Sequence, residues 1–330
     1  MTERIMNKTG MDAAAAMARL RQELGRVIIG QEDVIEQITV TLLAGGHALL
    51  TGVPGLGKTL LVKSVAQLFS LTFKRIQFTP DLMPADIFGS EVMDESVGRT
   101  EKTFRFIPGP VFANLVLADE INRTPPKTQA ALLEAMGEGH VTVGGVTYPL
   151  EKPFFVLATQ NPIELEGTYP LPEAQLDRFL MNIVMDYLPL ADEERMVRET
   201  TAPEQVALQP VLDGQEIIAL QRLAREVPVS DNVVAYAVRL CAATRPGGAQ
   251  AAPRVNDLVQ WGAGSRASQA MILAGKARAL LQGRRNVACE DVRALALPVL
   301  RHRVITNFRA EAEGVDAEKL IAEILATVAE

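Results

Sequence analysis

The chain has 330 residues, with 33 Lys and Arg against 40 Asp and Glu and with two cysteines. Its length predicts two domains, and a composition of 48% hydrophobic and 22% charged residues excludes a largely disordered chain. Two cysteines cannot form a disulfide framework, so we expect a cytoplasmic protein. The net charge of −7 disfavours duplex DNA or another nucleic acid as the partner.

The apolar runs are too short to cross a membrane. Residues 42–50 and 111–118 are nearly apolar, but roughly 20 such residues are needed to span a bilayer. The alanine-rich run at 13–18 follows Asp12 and is typical of an amphipathic helix rather than a signal peptide. We therefore expect a soluble, unprocessed chain without membrane insertion.

From residue 30 to about 186, short β-prone runs alternate with helical stretches, which predicts a parallel sheet covered by helices. Apolar runs such as LVLA and FFVLAT favour strands buried on both faces. The predicted strands are residues 47–51, 73–78, 115–118, 154–159 and 179–185. Beyond residue 186 the pattern is helical, with no convincing strand. The sequence thus predicts an α/β domain over 1–186 and an all-helical domain over 187–330.

The first strand leads into GVPGLGKT at residues 52–59, which matches G-x-x-x-x-G-K-[ST] and precedes a helix. The backbone N–H groups of such a loop face phosphate oxygens, the lysine binds the outer phosphates, and the hydroxyl ligates Mg²⁺. The alternative is a glycine-rich turn without a ligand. The candidate nucleotide-binding residues are Gly52, Val53, Pro54, Gly55, Leu56, Gly57, Lys58 and Thr59, and Thr59 is also a candidate metal ligand.

Two segments interrupt the α/β alternation. Residues 141–148, VTVGGVTY, alternate about a two-glycine centre and predict a β-hairpin. A second hairpin is predicted over residues 91–106, with its turn at Gly98. Both patterns are equally compatible with solvated hairpins that have no function.

The run LVLADE at 115–120 predicts a buried strand that ends in two carboxylates. Neighbouring side chains there point in different directions, so Asp119 can hold Mg²⁺, directly or through water, while Glu120 polarises the attacking water. A pair of acids at a strand end is common on protein surfaces. Together with the phosphate-binding loop, however, it indicates ATP hydrolysis rather than nucleotide binding alone.

Two polar residues follow later strands. Asn161, after FFVLATQ, can orient the lytic water and contact the γ-phosphate, or it can simply form a turn before Pro162. Arg178 lies in LPEAQLDRF, just before the last strand. From the residues alone, Arg178 is an ordinary surface arginine.

In this order, GVPGLGKT, LVLADEINR, the Gly-Gly hairpin, ATQNP and LPEAQLDRF resemble the MoxR group of AAA+ ATPases. In the C-terminal half, WGAGSRASQA at 261–270, GRRNVACEDV and PVLRHRV at 298–304 resemble the lid of the same group. The resemblance covers residues from about 25 to 310. It implies a P-loop AAA+ core with two hairpin inserts, followed by an all-α lid.

The resemblance also implies a homo-oligomeric ring, expected to be hexameric, with ATP and Mg²⁺ between neighbouring subunits. It implies that Asn161 is sensor 1, that Arg178 is a finger reaching the neighbour's γ-phosphate, and that Arg266 is the lid's sensor 2. The segment with Ile29 and Gly30 would lie near adenine. The two hairpins would be the helix-2 insert and the pre-sensor-1 insert, facing the ring pore or a bound client.

The sequence departs from the family pattern at one position. The family usually has proline before the lid arginine, whereas this chain has Ser265, so its backbone is less constrained there. Arg245 and Arg254 therefore remain alternatives for sensor 2, and Arg123 is an alternative for the finger.

Other conspicuous residues favour structural roles. None of the three histidines has paired ligand spacing, so we do not expect zinc ligands. Trp261 is expected to anchor lid packing. The cluster of Arg301, His302 and Arg303 is expected to form a solvated helix end, with contact to nucleotide or a neighbouring subunit as the alternative.

The leading functional hypothesis is a chaperone-like motor that hydrolyses ATP to remodel or mature a protein client, in assembly or metal-cofactor insertion. The resemblance implies a protein with a von Willebrand factor A domain as adaptor or client. The alternatives are a DNA-remodelling or helicase-like motor and a magnesium-chelatase-like motor subunit. A non-hydrolysing nucleotide switch or scaffold is disfavoured by Glu120.

Overall fold

The computed structural model of the protein describes residues 13–94, 103–161, 167–201 and 208–330. Within these residues the strands are β1 (Ala48–Gly52), β2 (Phe73–Gln77), β3 (Gly89–Asp94), β4 (Thr103–Pro108), β5 (Leu115–Asp119), β6 (His140–Val143), β7 (Val146–Pro149), β8 (Phe155–Gln160), β9 (Met181–Met185), β10 (Val259–Trp261) and β11 (Ile305–Thr306).

The helices of the N-terminal part are α1 (Ala13–Leu24), α2 (Glu32–Leu43), α3 (Lys58–Leu68), α4 (Pro84–Phe88), α5 (Pro126–Glu138) and α6 (Glu173–Leu176), with a 3₁₀ turn at Ile121–Arg123. The C-terminal helices are α7 (Leu190–Thr200), α8 (Gly214–Glu226), α9 (Asp231–Ala243), α10 (Val255–Leu258), α11 (Ser265–Leu281), α12 (Cys289–Leu300), α13 (Phe308–Ala312) and α14 (Ala317–Thr327).

The central sheet has five parallel strands in the order β2-β5-β8-β1-β9. All five strands predicted from the sequence are confirmed, with ends shifted by no more than two residues. Their apolar runs are buried because helices cover both faces of the sheet. Since the strands are parallel, the carboxyl ends of β1, β5 and β8 meet at one edge.

Both predicted hairpins are confirmed as antiparallel pairs, β3 with β4 and β6 with β7. Gly144 and Gly145 have φ of +58° and +82°, the left-handed conformation that a tight two-residue turn requires. The other predicted turn, at Gly98, lies outside the described residues. The hairpins touch each other, since the rings of Phe106 and Tyr148 stack with centroids 4.2 Å apart.

The C-terminal part is helical, as predicted, with one addition. The short strands β10 and β11 form an antiparallel pair that the sequence pattern did not predict, because two or three residues are too few to show alternation. One buried apolar cluster extends from α2, α3 and the sheet into α8, α9, α11 and α12. In the described part of the chain, no helix is both long and apolar enough to span a membrane.

His47, directly before β1, is a partly buried, neutral residue. Its Nδ1 accepts the Val156 N–H at 3.0 Å, and its Nε2 lies 3.2 Å from the Met136 carbonyl, to which it donates. Burial lowers the pKa of His47 from 6.5 to about 4. The ring therefore ties β1 to β8 and α5 in its uncharged form.

We predict that His47 makes the fold acid-sensitive. The unfolded side chain takes up a proton near pH 6.5, whereas the folded one stays neutral down to about pH 4, so stability falls as pH drops through this window. At the acid end the loss attributable to His47 is about 3 kcal/mol. Urea unfolding measured between pH 4 and 7 tests this.

In His47→Gln the amide can retain one donor and one acceptor but does not titrate, so the pH slope of stability should become shallower than in the wild type. His140→Gln, on β6, is the matched control for replacing a histidine by glutamine outside the contact between β1, β8 and α5. Identical slopes in wild type and His47→Gln would contradict the prediction.

Candidate active site

The loop between β1 and α3 takes a shape that needs glycine. A Cβ at Gly52 would lie 2.6 Å from the Met185 carbonyl of β9, and Gly55 and Gly57 have φ of +87° and +76°. α3 begins at Lys58, so its N-terminal N–H groups open toward the carboxyl edge of the sheet. The local fold of residues 52–59 thus matches a loop that wraps a phosphate chain.

Lys58 lies between this loop and the acids at the end of β5. Its ammonium donates to the Gly52 carbonyl. Burial lowers the pKa of Lys58, while the charges of Asp119 and Glu120 oppose that shift. A partly desolvated ammonium facing a loop of N–H donors is suited to binding phosphate oxygens.

The two acids at the end of β5 have different side-chain partners. Asp119 accepts a hydrogen bond from the Thr159 hydroxyl at 2.6 Å and forms an ion pair with Arg75 at 2.6 Å. Glu120 has φ of +58°, unusual for a non-glycine residue, and its N–H donates to the Thr159 oxygen at 2.8 Å. Thr159 therefore links both acids to β8.

The Glu120 carboxylate is held by two further side chains. Gln77 on β2 donates to Glu120 Oε2 at 3.0 Å, and Arg123 forms an ion pair with the same oxygen at 3.3 Å. Arg123, an alternative for the finger, thus lies against an acid of its own subunit. Sequence reasoning missed Gln77, Thr159 and Arg75, since the pairing of Gln77 in register with Asp119 is visible only in the folded sheet.

One cavity of about 390 Å³ brings most of the predicted site together. It is lined by Pro54, Gly55, Gly57, Lys58, Thr59, Leu60, Asp119, Glu120, Thr159 and Asn161. A cation, backbone N–H donors, a hydroxyl and carboxylates are the groups that phosphates and Mg²⁺ require, since Mg²⁺ prefers oxygen ligands. These residues therefore fit a magnesium–nucleoside phosphate.

A second cavity, of about 280 Å³, adjoins the same loop and is mainly apolar. Its lining combines the buried Ile29, residues 54–57, Leu60 and Leu61 with Tyr187, Leu188 and Met196 at the start of the C-terminal part. Gly30 turns the chain there with φ of +67°, and a Cβ would come within 3.0 Å of Asp192 and Leu188. A flat apolar base fits this cavity beside the phosphate-binding loop.

Arg178 and Arg266 lie elsewhere, in a third cleft of about 300 Å³ that they share with His47, Gly137 and Arg303. Arg178 Nη1 donates to the Leu133 carbonyl at 3.0 Å. The guanidinium packs against Gly137, where a Cβ would come within 2.3 Å of Nη1. Arg266 is 66% exposed and 3.4 Å from Asp177. Neither arginine lines the cavity of the phosphate-binding loop.

The alternatives for the lid arginine have other partners. Arg245 donates to the Ala263 carbonyl at 2.9 Å, and Arg254 forms ion pairs with Glu313 and Glu323 at 3.1 and 2.8 Å. Neither Arg245 nor Arg254 lines any of the three cavities described above.

Two expectations for the lid are wrong. Trp261 is 64% exposed and does not anchor lid packing, because it lies on a three-residue strand at the lid surface. The residues after α12 are not a solvated helix end, since His302 and Arg303 are buried against residues 177–180 of the N-terminal part. The physical reason is that this segment supplies carbonyls to His302 Nε2 and Arg303, together with the Asp177 carboxylate that pairs with Arg303.

Comparison with known proteins matches both parts of the chain. The family model described as "ATPase family associated with various cellular activities (AAA)" matches residues 47–181, and the one described as "AAA lid domain" matches residues 251–324. A crystal structure of a protein from Cytophaga hutchinsonii superposes with a TM-score of 0.87 at 39% identity, covering 96% of each chain.

Curated relatives match over nearly the whole length. Chaperone MoxR1 of Mycobacterium tuberculosis is 45% identical over 93% of this chain and 80% of its own. YeaC of Bacillus subtilis is 43% identical over 96% of this chain and 95% of its own. Protein MoxR of Methylorubrum extorquens is 32% identical over 88% of this chain and 87% of its own. The chain therefore belongs to the MoxR family of AAA+ ATPases.

Proposed function

We propose that this chain binds ATP with Mg²⁺ and hydrolyses it as one subunit of a homo-hexameric ring that remodels protein clients. The observation that carries the proposal is the single cavity in which Lys58, Thr59, the acid pair and Asn161 converge. Membership of a family of AAA+ ATPases supports the same activity.

Each group in this cavity has a distinct task. The loop N–H groups and Lys58 bind the outer phosphates, and Thr59 and Asp119 would hold Mg²⁺, which when bound neutralises charge on the phosphate oxygens. Glu120 orients the attacking water and accepts its proton. Gln77, Arg123 and Thr159 hold the two acids apart.

Asn161 completes the set from the end of β8. It is buried and directly follows the strand that carries Thr159, so its amide faces the same cavity as Glu120. An amide can donate to a γ-phosphate oxygen and accept from water without carrying charge. This is the role proposed for it as sensor 1.

We predict that Glu120→Gln abolishes turnover without weakening ATP binding. Removing a general base typically costs about 10²- to 10⁴-fold in rate, whereas the amide leaves the loop, Lys58 and the metal ligands in place. Phosphate release and fluorescent-nucleotide titration measure the two quantities separately.

Glu134→Gln, on an exposed position of α5, is the control for that experiment and should hydrolyse ATP at the wild-type rate. If Glu120→Gln turned over as fast as the wild type, the proposed role of Glu120 would be wrong.

We further propose that Arg178 and Arg266 act on the nucleotide of a neighbouring subunit. Both lie in one cleft apart from the subunit's own phosphate cavity, and Arg266 is largely exposed. Two cations that do not line the phosphate cavity of their own subunit are suited to complete the site of a neighbouring subunit. A trans arginine contributes about 10³- to 10⁵-fold to phosphoryl transfer in general, so activity should depend on assembly.

We predict complementation between two inactive variants. Arg178→Ala subunits keep their acids but lack the finger, and Glu120→Gln subunits keep the finger but cannot hydrolyse ATP. Mixing them should restore phosphate release, because an Arg178→Ala site can receive the arginine of a Glu120→Gln neighbour.

The control for complementation is Arg222→Ala, on an exposed face of α8, which should be fully active alone. A mixture no more active than its components, or an Arg178→Ala protein that is active by itself, would contradict the trans role. Specific activity should also fall on dilution, as the oligomer dissociates.

The hairpins support contact with a client. Several apolar side chains on them are exposed to solvent: Val92, Met93, Phe104, Ile107 and Val146. Exposed apolar groups clustered on a projecting element are typical of a protein-binding surface. Remodelling of a client during its assembly or metal-cofactor insertion, with a von Willebrand factor A domain protein as adaptor, is the function we propose; the relative from Mycobacterium tuberculosis is named a chaperone.

A further inference from the structure

Arg303 is a buried arginine whose donors are all engaged. Its side chain is 5% exposed. Nε donates to Asp177 Oδ1 at 2.7 Å, Nη1 to the carbonyls of Leu180 and Val299 at 3.2 and 2.5 Å, and Nη2 to those of Asp177 and Phe179 at 3.3 and 2.7 Å. A guanidinium has five N–H groups, so this one is saturated.

Four of these five hydrogen bonds cross from the end of α12 to residues 177–180, the segment that joins α6 to β9. His302 adds a fifth crossing contact, with Nε2 3.2 Å from the Phe179 carbonyl. Arg178 lies in the middle of this segment. The backbone on both sides of Arg178 is therefore fixed by side chains that belong to the lid.

The same segment is also held from the core. The Leu180 N–H donates to the His47 carbonyl at 2.8 Å, and the Phe179 ring is fully buried. The Arg178 guanidinium itself donates to the Leu133 carbonyl on α5. Residues 177–180 are thus clamped between β1 and the lid, while the Arg178 side chain extends along the cleft.

Two lid arginines contact the same carboxylate of this segment, that of Asp177. Asp177 Oδ1 accepts from Arg303, and Asp177 Oδ2 lies 3.4 Å from Nη1 of Arg266 at the start of α11. α11 and α12 pack against each other, so both arginines move with the same helix pair. A change in lid orientation would therefore be transmitted to Asp177 and to the neighbouring Arg178.

We propose that Arg303 is a positioning residue that sets the place of Arg178, and so couples the lid of one subunit to ATP hydrolysis in the next. This inference rests on the trans role of Arg178 proposed above. The lid segment that begins with α7 also lines the apolar cavity beside the phosphate-binding loop. Nucleotide bound in one subunit would thus act, through its lid and Arg303, on the finger offered to its neighbour.

Complementation separates this role from a merely structural one. The donor subunit carries Glu120→Gln and supplies Arg178, and the acceptor subunit carries Arg178→Ala and hydrolyses ATP. Adding Arg303→Lys to the donor keeps the positive charge but removes the planar guanidinium, which donates to three carbonyls of residues 177–180. We expect the restored rate to fall by about tenfold or more, since a displaced finger loses part of its general 10³- to 10⁵-fold effect.

Adding Arg303→Lys to the acceptor instead should leave the restored rate unchanged, because the acceptor has no finger to position. Arg301→Lys in the donor is the matched control. Arg301 is 11% exposed and pairs with Glu318 inside the lid at 3.4 Å, so it should not alter complementation. Sedimentation and fluorescent-nucleotide affinity of each variant verify assembly and binding.

Asp177→Asn in the donor provides a second test if Arg303→Lys fails to assemble, and it should likewise lower the restored rate. Equal losses from Arg303→Lys in donor and acceptor would indicate a structural role and overturn the proposal, as would undiminished complementation by the altered donor. If the parental donor and acceptor fail to complement each other, the trans role of Arg178 itself fails, and this inference with it.

Discussion

The parallel pairing of β5, β8 and β1 is the constraint on which the rest of the structure depends. Since all three strands run the same way, their carboxyl ends deliver the acid pair, Asn161 and the phosphate-binding loop to one edge. Gly52 shows how tight this arrangement is, because a side chain there would collide with the carbonyl of Met185 on β9. The sheet register fixes which residues can share a substrate.

The convergence of these strand ends concentrates charge in a partly buried site. The surrounding residues offset the free-energy cost of removing those charges from water. Lys58 loses solvation but faces two carboxylates, and each carboxylate has hydrogen-bond partners on neighbouring strands. Thr159 is central because its hydroxyl donates to Asp119 and accepts from the Glu120 N–H. Both acids therefore have hydrogen-bond partners while they line the cavity, as their proposed roles toward metal and water require.

The sequence predicted the local structure of the candidate site wherever the signal was local. The glycine pattern of residues 52–59, the acids after an apolar run and the two-glycine turn each depend on residues within a few positions of one another. Gln77 and Thr159 were missed because their roles arise from cross-strand register, which no short pattern encodes. The basic cluster after α12 was misjudged because its partners lie more than 120 residues earlier in the chain.

Stability alone does not account for the burial of Arg303. A buried ion pair often contributes no more to stability than apolar residues of similar volume. The free energy lost by desolvating the two charges can equal the free energy gained from their attraction. A guanidinium adds directional hydrogen bonding. Its planar set of N–H donors fixes several acceptors at once, which neither an apolar side chain nor a lysine can do. Here the fixed acceptors are the carboxylate and three carbonyls of residues 177–180. A catalytic group displaced by about 1 Å can lose much of its effect, so under the trans role proposed for Arg178 a rigid hold on this segment has its greatest consequence there.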